Sequence, residues 1–156
     1  TVIDFGSGIG AYSLAAASLI LPDGKVYAVE IQKDLLETLK KEAREKSLPN
    51  VDVIWGDIEQ NGGVSLPDGV ADVVVISNVL FQAKSMYTLA LEAKRLLKPG
   101  GRIMVIEWSE SFGGLGPAPI DVVPVEEVKK TFGSAGFAFV MDFPAGDHHY
   151  GLIFAK

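Results

Sequence analysis

No cysteine occurs among the 156 residues. Its absence excludes disulfide frameworks, thiolate zinc sites, iron–sulfur clusters and cysteine nucleophiles together, and it agrees with a cytoplasmic setting. Histidine is almost as scarce: His148 and His149 stand side by side near the end of the chain. Positive charge is also short, with 14 basic against 20 acidic residues and a net charge of −6. The basic residues concentrate between Lys33 and Lys46, interleaved with Asp34, Glu37, Glu42 and Glu45, the pattern of a solvated helix face. A nucleic-acid binder needs a basic stripe to neutralise phosphates, so nucleic acid is not an expected partner. No uninterrupted apolar run approaches the roughly 20 residues that span a bilayer, so stable membrane insertion is not expected.

What is present describes one globular domain over residues 1–156, with 48% hydrophobic and 22% charged residues. The chain opens on Thr1 and runs directly into an apolar strand, which leads us to expect a natural N-terminal segment ahead of it. Short β-branched runs alternate with helical patterns, the signature of βα units around a mostly parallel sheet. Strands are expected at Thr1–Phe5, Lys25–Glu30, Val51–Trp55, Asp72–Ser77 and Arg102–Glu107. Ala11–Leu21 is small and apolar almost throughout and reads as a buried helix, whereas Asp34–Lys46 is amphipathic through Leu36, Leu39 and Ala43. Met86, Leu89, Ala93 and Leu96 mark a further helix, stopped by Lys98-Pro99-Gly100-Gly101. Ser109–Val123 is a long Gly/Pro-rich loop, and a short helix begins at Pro124. The last two apolar runs, Phe137–Phe143 and Tyr150–Ala155, leave no room for a crossover helix and must form an antiparallel hairpin.

Three constellations carry chemistry. In Val2-Ile3-Asp4-Phe5-Gly6-Ser7-Gly8-Ile9-Gly10, glycines at a strand-to-helix turn let a ligand approach the backbone beside free N–H donors. The spacing also satisfies the dinucleotide fingerprint through Ala11, so a nicotinamide or flavin cofactor remains open here. Glu30 ends the second strand 20 residues after Gly10, where a carboxylate can accept both hydroxyls of a ribose. Gly56-Asp57-Ile58 follows the third strand; a side-chain acceptor beside a backbone N–H suits the adenine edge, and Gly-Asp equally suits a simple Asx turn.

Taken in order, Asp4–Gly10, Val29-Glu30, Gly56-Asp57, Asp72–Asn78 and Leu96-Leu97-Lys98-Pro99-Gly100-Gly101 resemble the motifs of class I S-adenosylmethionine-dependent methyltransferases. The resemblance runs from the first strand to the last. It implies an α/β fold: a Rossmann-like seven-stranded sheet of order 3-2-1-4-5-7-6, strand 7 antiparallel, with helices on both faces. It further implies that Gly6, Ser7, Gly8 and Gly10 shape the turn under the methionine and ribose parts of the cofactor. Asp4 would meet the methionine ammonium or orient the loop. Glu30 would hold the ribose, Ile31 would pack on adenine, and Asp57 with Ile58 would read its edge. Ser77, Asn78 and Val79 would face the sulfonium and the acceptor.

Two alternatives stand beside this reading: an NAD(P)-binding oxidoreductase, and a protein that binds S-adenosylmethionine without turnover. No tyrosine is followed by lysine four places on, so the dyad of short-chain dehydrogenases is missing. Among methyltransferases, Ser77-Asn78-Val79-Leu80 departs from the nucleobase amino-methyltransferase pattern, and Glu107-Trp108 replaces the Asp-Asn pair of the metal-dependent catechol type. The pattern is most similar to the small-molecule "type 11" enzymes of quinone biosynthesis and arsenite methylation; the missing thiols exclude arsenite. In-line methyl transfer depends on alignment, and a base is needed only if the acceptor must lose a proton. His148, His149 and Glu107 are the candidates for that base, although Asp147-His148-His149 reads equally as a polar hairpin turn. A metal site there is not expected, because adjacent strand residues point to opposite faces.

Overall fold

The computed structural model describes residues 1–156. Seven strands, β1 (Val2–Phe5), β2 (Val26–Glu30), β3 (Val51–Trp55), β4 (Ala71–Ser77), β5 (Leu97–Trp108), β6 (Ala138–Pro144) and β7 (His149–Ala155), form one sheet of order 3-2-1-4-5-7-6. β7 runs antiparallel to β5 and to β6, while the other pairings are parallel. Four helices connect them: α1 (Ala11–Ile20), α2 (Lys33–Glu45), α3 (Met86–Leu96) and α4 (Val125–Ser134). The fold is the one the resemblance implied, including the terminal hairpin, which the short interval between the last two strands dictates.

Alternation along the strands divides the core. Ile3, Phe5, Val74, Ile76, Ile103, Val105, Leu152 and Phe154 are buried in one cluster with Leu89, Ala93 and Leu96 of α3 and Val128 and Phe132 of α4. Each of the larger side chains contributes about 1.5–3 kcal/mol by leaving water. On the opposite face α1 packs through Ala17 against Val26 and Leu48. No helix is long and apolar enough to cross a membrane.

Two expectations are corrected. α1 is not buried all round: only Ser13 and Ala17 are buried, and Leu19 is 85% exposed. Small residues let the helix sit close to β1 and β2 along one line; Leu14, Ala16 and Ile20 pack partly against that line, and Leu19 faces outward. Lys98–Gly101 is not a loop between helix and strand. α3 ends at Leu96 and β5 starts at once, its pairing with β4 jumping from Ala71–Leu97 to Val73–Arg102. The Pro-Gly-Gly segment is thus an irregularity within the strand, the place where extra residues on one strand can be accommodated. Within the long loop, Phe112 and Leu115 form an isolated antiparallel bridge and Pro119–Asp121 makes one 3-10 turn.

Candidate functional site

In an open α/β sheet, the crevice outside the carboxyl ends of the strands is where loops diverge and ligands enter. Here that edge gathers the glycine loop after β1, Glu30 at the end of β2, Gly56-Asp57 after β3, Ser77-Asn78 after β4 and Glu107-Trp108 at the end of β5. A cavity of about 190 Å³ opens there, lined by Gly6, Glu30, Ile31, Asp57, Ile58 and Val79 among the residues singled out above. A larger, shallower depression of about 680 Å³ lies between α2 and β3 and contains none of these groups.

The glycine loop is fixed from below. The Gly6 and Ser7 amides both donate to the Val29 carbonyl, at 2.9 and 3.0 Å. Gly6 adopts φ +70°, and a Cβ there would stand 2.7 Å from a methyl of Val79, so the end of β4 presses directly on the loop. Only glycine meets both demands without strain. Asp4 is buried and accepts the Ser13 hydroxyl at 2.6 Å, tying β1 to the first turn of α1. Burial pushes its carboxyl up to about 6, against the Ser13 hydrogen bonds that lower it; Glu30 adds a smaller upward push.

Glu30 is buried, and its two oxygens are shared between loops. One accepts the Gly8 amide at 3.0 Å, the other the amides of Ile31 at 2.8 Å and Gln32 at 3.0 Å. Ile31 leaves its side chain half exposed in the cavity wall, and Trp55 donates its indole N–H to the Ile31 carbonyl at 3.0 Å. Asp57 realises the Asx-turn geometry: its carboxylate accepts the Glu59 amide at 2.9 Å and the Gln60 side-chain amide at 2.8 Å. It faces the same cavity while doing so.

The end of β4 has a different character. Asn78 holds φ +55°, a left-handed conformation uncommon for a non-glycine residue. Ser77 Oγ and Asn78 Oδ1 are buried without a hydrogen-bond partner, as is Ser7 Oγ in the glycine loop. Orphaned buried polar atoms cost about 1–3 kcal/mol each, and their concentration at one strand edge fits a polar ligand.

Glu107 is fully buried. Its carboxylate accepts the Leu80 amide at 2.8 Å and the Trp108 amide at 2.8 Å. Burial raises its pKa, while amides of Trp108, Leu80, Phe81 and Val79 oppose the rise. The group therefore clasps the turn that carries Asn78 and Val79. His148 pairs with Glu110 (Nδ1 to Oε1, 2.8 Å) and stacks on Phe112 at 3.7 Å between ring centres. His149 lies against Trp108 at 4.1 Å, its Nε2 buried and unpaired.

Several residues escaped the sequence reading. Glu59 lines the cavity and accepts the Ser85 amide at 2.9 Å; Gln32 and Gln82 also line it. Glu92 of α3 is fully buried, accepting the Gly62 amide at 2.8 Å, the Val64 amide at 3.1 Å and two Arg95 N–H groups at 2.9 and 2.7 Å. Arg95 also donates to the carbonyls of Leu66 and Val64, both at 2.9 Å. The signal was present: Glu92 falls three residues after Leu89 and four before Leu96, on the apolar stripe of its own helix.

A seven-stranded α/β sheet of order 3-2-1-4-5-7-6, with a glycine loop and strand-end carboxylates around one cavity, defines a nucleotide-cofactor fold of the methyltransferase type. The methyltransferase domain family matches residues 1–132, and the chain belongs to that family. It is 29% identical over 108 residues to the demethylmenaquinone methyltransferase of Geobacillus sp. (strain WCH70), covering 69% of this chain and 45% of that protein. The chain thus spans less than half the length of that curated relative. In fold it is similar to a SAM dependent methyltransferase from Aquifex aeolicus, with a TM-score of 0.90 and 24% identity over 99% of this chain and 80% of that one. The cyclase SpnF shares the fold at a TM-score of 0.76 and 22% identity, over 91% of this chain and 52% of that one.

Proposed function

We propose that residues 1–156 form a single methyltransferase domain that binds S-adenosylmethionine and serves methyl transfer to a small-molecule acceptor. The observation that carries this reading is the convergence of the glycine loop, Glu30 and Asp57 on one cavity, beside the orphaned oxygens of Ser7, Ser77 and Asn78. The polar atoms match the cofactor's chemistry: carboxylate acceptors for a ribose hydroxyl and the adenine amine, and the hydroxyls of Ser7 and Ser77 with the Asn78 amide for the amino-acid end. When bound, the cofactor supplies a methyl group carried on a sulfonium.

On this reading Gly6, Ser7, Gly8 and Gly10 give the backbone cradle, and Asp4 sets the loop by holding Ser13. Glu30 takes a ribose hydroxyl on the one lone pair its three amide donors leave free, at Oε2, and Ile31 covers adenine. Asp57 and Ile58 meet the adenine edge. Ser77, Asn78 and Val79 shape the space where donor and acceptor meet, and Glu107 positions them. The demethylmenaquinone relative supports a small apolar acceptor for this chain, and the acidic balance disfavours nucleic acid. With no membrane-crossing helix and no cysteine, we place the protein in the cytoplasm.

Calorimetric titration with S-adenosylmethionine and its demethylated product, S-adenosylhomocysteine, tests the proposal. Saturable binding of both, with no binding of NAD(P)H, is expected; the reverse pattern overturns it. The likeness to a cyclase keeps one second reading in play, binding without methyl transfer. Cofactor affinity with no methylated product across a broad panel of phenols, quinols and amines would favour it.

A further inference from the structure

We infer that the end of β5 and the start of β7 form an acceptor subsite for a hydroxylated aromatic ring, with Trp108 as the stacking face and His149 Nε2 as the hydrogen-bond acceptor for the ring hydroxyl. This deepens the methyltransferase reading and rests on it.

Register places the two residues together. Trp108 pairs with His149, and Ile106, two residues earlier on β5, pairs with Ser77 of β4. Residues at register partners share a sheet face, and so do residues two apart along a strand. Ser77, Ile106, Trp108 and His149 therefore lie on one face, with Trp108 about 7 Å beyond Ile106. An aromatic ring laid between Trp108 and the end of β4 spans that interval and reaches the orphaned oxygens of Ser77 and Asn78.

His149 Nε2 is a buried nitrogen without a partner, which is costly unless a ligand completes it. Burial holds the imidazole below its ordinary pKa, with His148 adding a like-charge push, so His149 is neutral near pH 7 and one ring nitrogen is an acceptor. The charged neighbours do not compete for it. Glu110 after β5 is taken by His148, and Glu107 on the opposite face of β5 is taken by backbone amides.

What covers the subsite is built to move. Gly116, at φ +71°, lies flat on the indole: a Cβ there would fall 2.6 Å from ring atoms of Trp108. The loop carrying it is anchored at one end by the His148–Glu110 pair and the Phe112–His148 stack. At the other end the Tyr150 hydroxyl donates to the Val123 carbonyl at 2.9 Å. Between these anchors the backbone bonds only within itself, Leu115 to Phe112 and Asp121 to Ala118, while Leu115 and Ile120 are 62% and 91% exposed. Pro117 is the one buried residue between the anchors, so opening gives up its contacts and those of Gly116 with the indole. An aromatic acceptor takes the place of Gly116 on Trp108, and the loop's apolar side chains close over it.

The chain has two tryptophans, so Trp55→Phe leaves Trp108 as sole reporter. In the full chain carrying W55F, 1-naphthol and naphthalene are titrated against Trp108 fluorescence, with S-adenosylhomocysteine binding measured in parallel by calorimetry. Saturable quenching is expected, with 1-naphthol binding about 3–10-fold tighter than naphthalene, the span of one hydrogen bond. His149→Phe should erase that preference while keeping naphthalene affinity, and His149→Gln, which retains an acceptor oxygen, should restore part of it. Absence of quenching, or a naphthol preference that survives H149F, overturns the subsite when S-adenosylhomocysteine still binds. Absence of S-adenosylhomocysteine binding in the wild-type chain, with Trp55 and its bond to the Ile31 carbonyl in place, overturns instead the methyltransferase reading beneath it.

Discussion

Arg95→Ala should be among the most damaging single substitutions outside the sheet, although Arg95 touches neither the cavity nor the glycine loop. Its guanidinium supplies two of the four N–H groups that neutralise Glu92, a carboxylate with no exposed surface. Burial opposes ionisation of Glu92, but Arg95 and the amides of Gly62 and Val64 outweigh it and hold its pKa below the usual carboxylate range. Removing Arg95 leaves that charge buried and half satisfied, a situation that costs about 3–5 kcal/mol. For a chain of 156 residues this lowers the melting temperature by roughly 6–20 °C, at about 2–4 °C per kcal/mol. The loss should spread to the site, because Glu92 and Arg95 together hold backbone groups of Gly62, Val64 and Leu66, in the connection that begins with Asp57. Calorimetric unfolding and S-adenosylhomocysteine titration read the two effects, and affinity should fall at least tenfold. A double change of Glu92 and Arg95 to leucine should recover only part of the stability, since the Gly62 and Val64 amides then lack an acceptor. A melting temperature for R95A within about 3 °C of wild type would refute the clamp.

Three further outcomes follow from the same contacts. Glu30→Gln places an amide N–H₂ against backbone N–H donors, so it should cost about 1–3 kcal/mol of stability and weaken S-adenosylhomocysteine more than tenfold; calorimetry showing unchanged affinity would remove Glu30 from the site. Gly6→Ala forces a Cβ toward Val79 at a left-handed φ, costing about 1–2 kcal/mol from the backbone alone, and thermal melts should also show a loss of cofactor-induced stabilisation. Asp4, raised from 3.8 to about 6, holds its proton more tightly folded than unfolded, so its contribution to stability falls as pH rises from about 4 to 6 and is constant above. Asp4→Asn should therefore gain on wild type by about 2 kcal/mol across that interval, measured by denaturant unfolding at pH 4 and pH 7; parallel curves at both would contradict the buried acid.

The sheet order was legible because it rests on strong local patterns: β-branched runs, a short interval between the last two strands, and an ordered set of motifs that spans the chain. Two expectations, one of burial and one of a boundary, give way for physical reasons. Composition alone makes α1 look buried, yet only Ser13 and Ala17 are fully covered, with Leu14, Ala16 and Ile20 packed in part, and apolar content does not say how many faces are covered. Pro99-Gly100-Gly101 carried the local signal of a stop, and the sheet overrode it by absorbing the segment into β5. Glu30 and Asp57 stand where the strands before them end, because each owes its position to that strand. Glu92 was missed because a charged residue in a helix reads as solvent-facing unless its angular position is checked against Leu89 and Leu96.

Glu107 shows where pattern reading and physical reading part. In the sequence it is an acid at the end of a strand beside the cavity edge, which makes it a candidate base. In the folded chain its oxygens are committed to the amides of Leu80 and Trp108, and it has no exposed surface from which to meet an acceptor. Its value to the site lies in what it holds: the turn bearing Asn78, whose left-handed φ persists only if its surroundings over-determine it. That division of labour, a buried carboxylate fixing the strand end and a neutral histidine left unpaired one rung beyond, separates orientation from acceptor recognition. Glu107→Gln should then disturb stability and cofactor affinity together, by about 1–3 kcal/mol in unfolding experiments, while leaving the naphthol preference at His149 intact. A selective loss of that preference, with stability unchanged, would return Glu107 to the acceptor side.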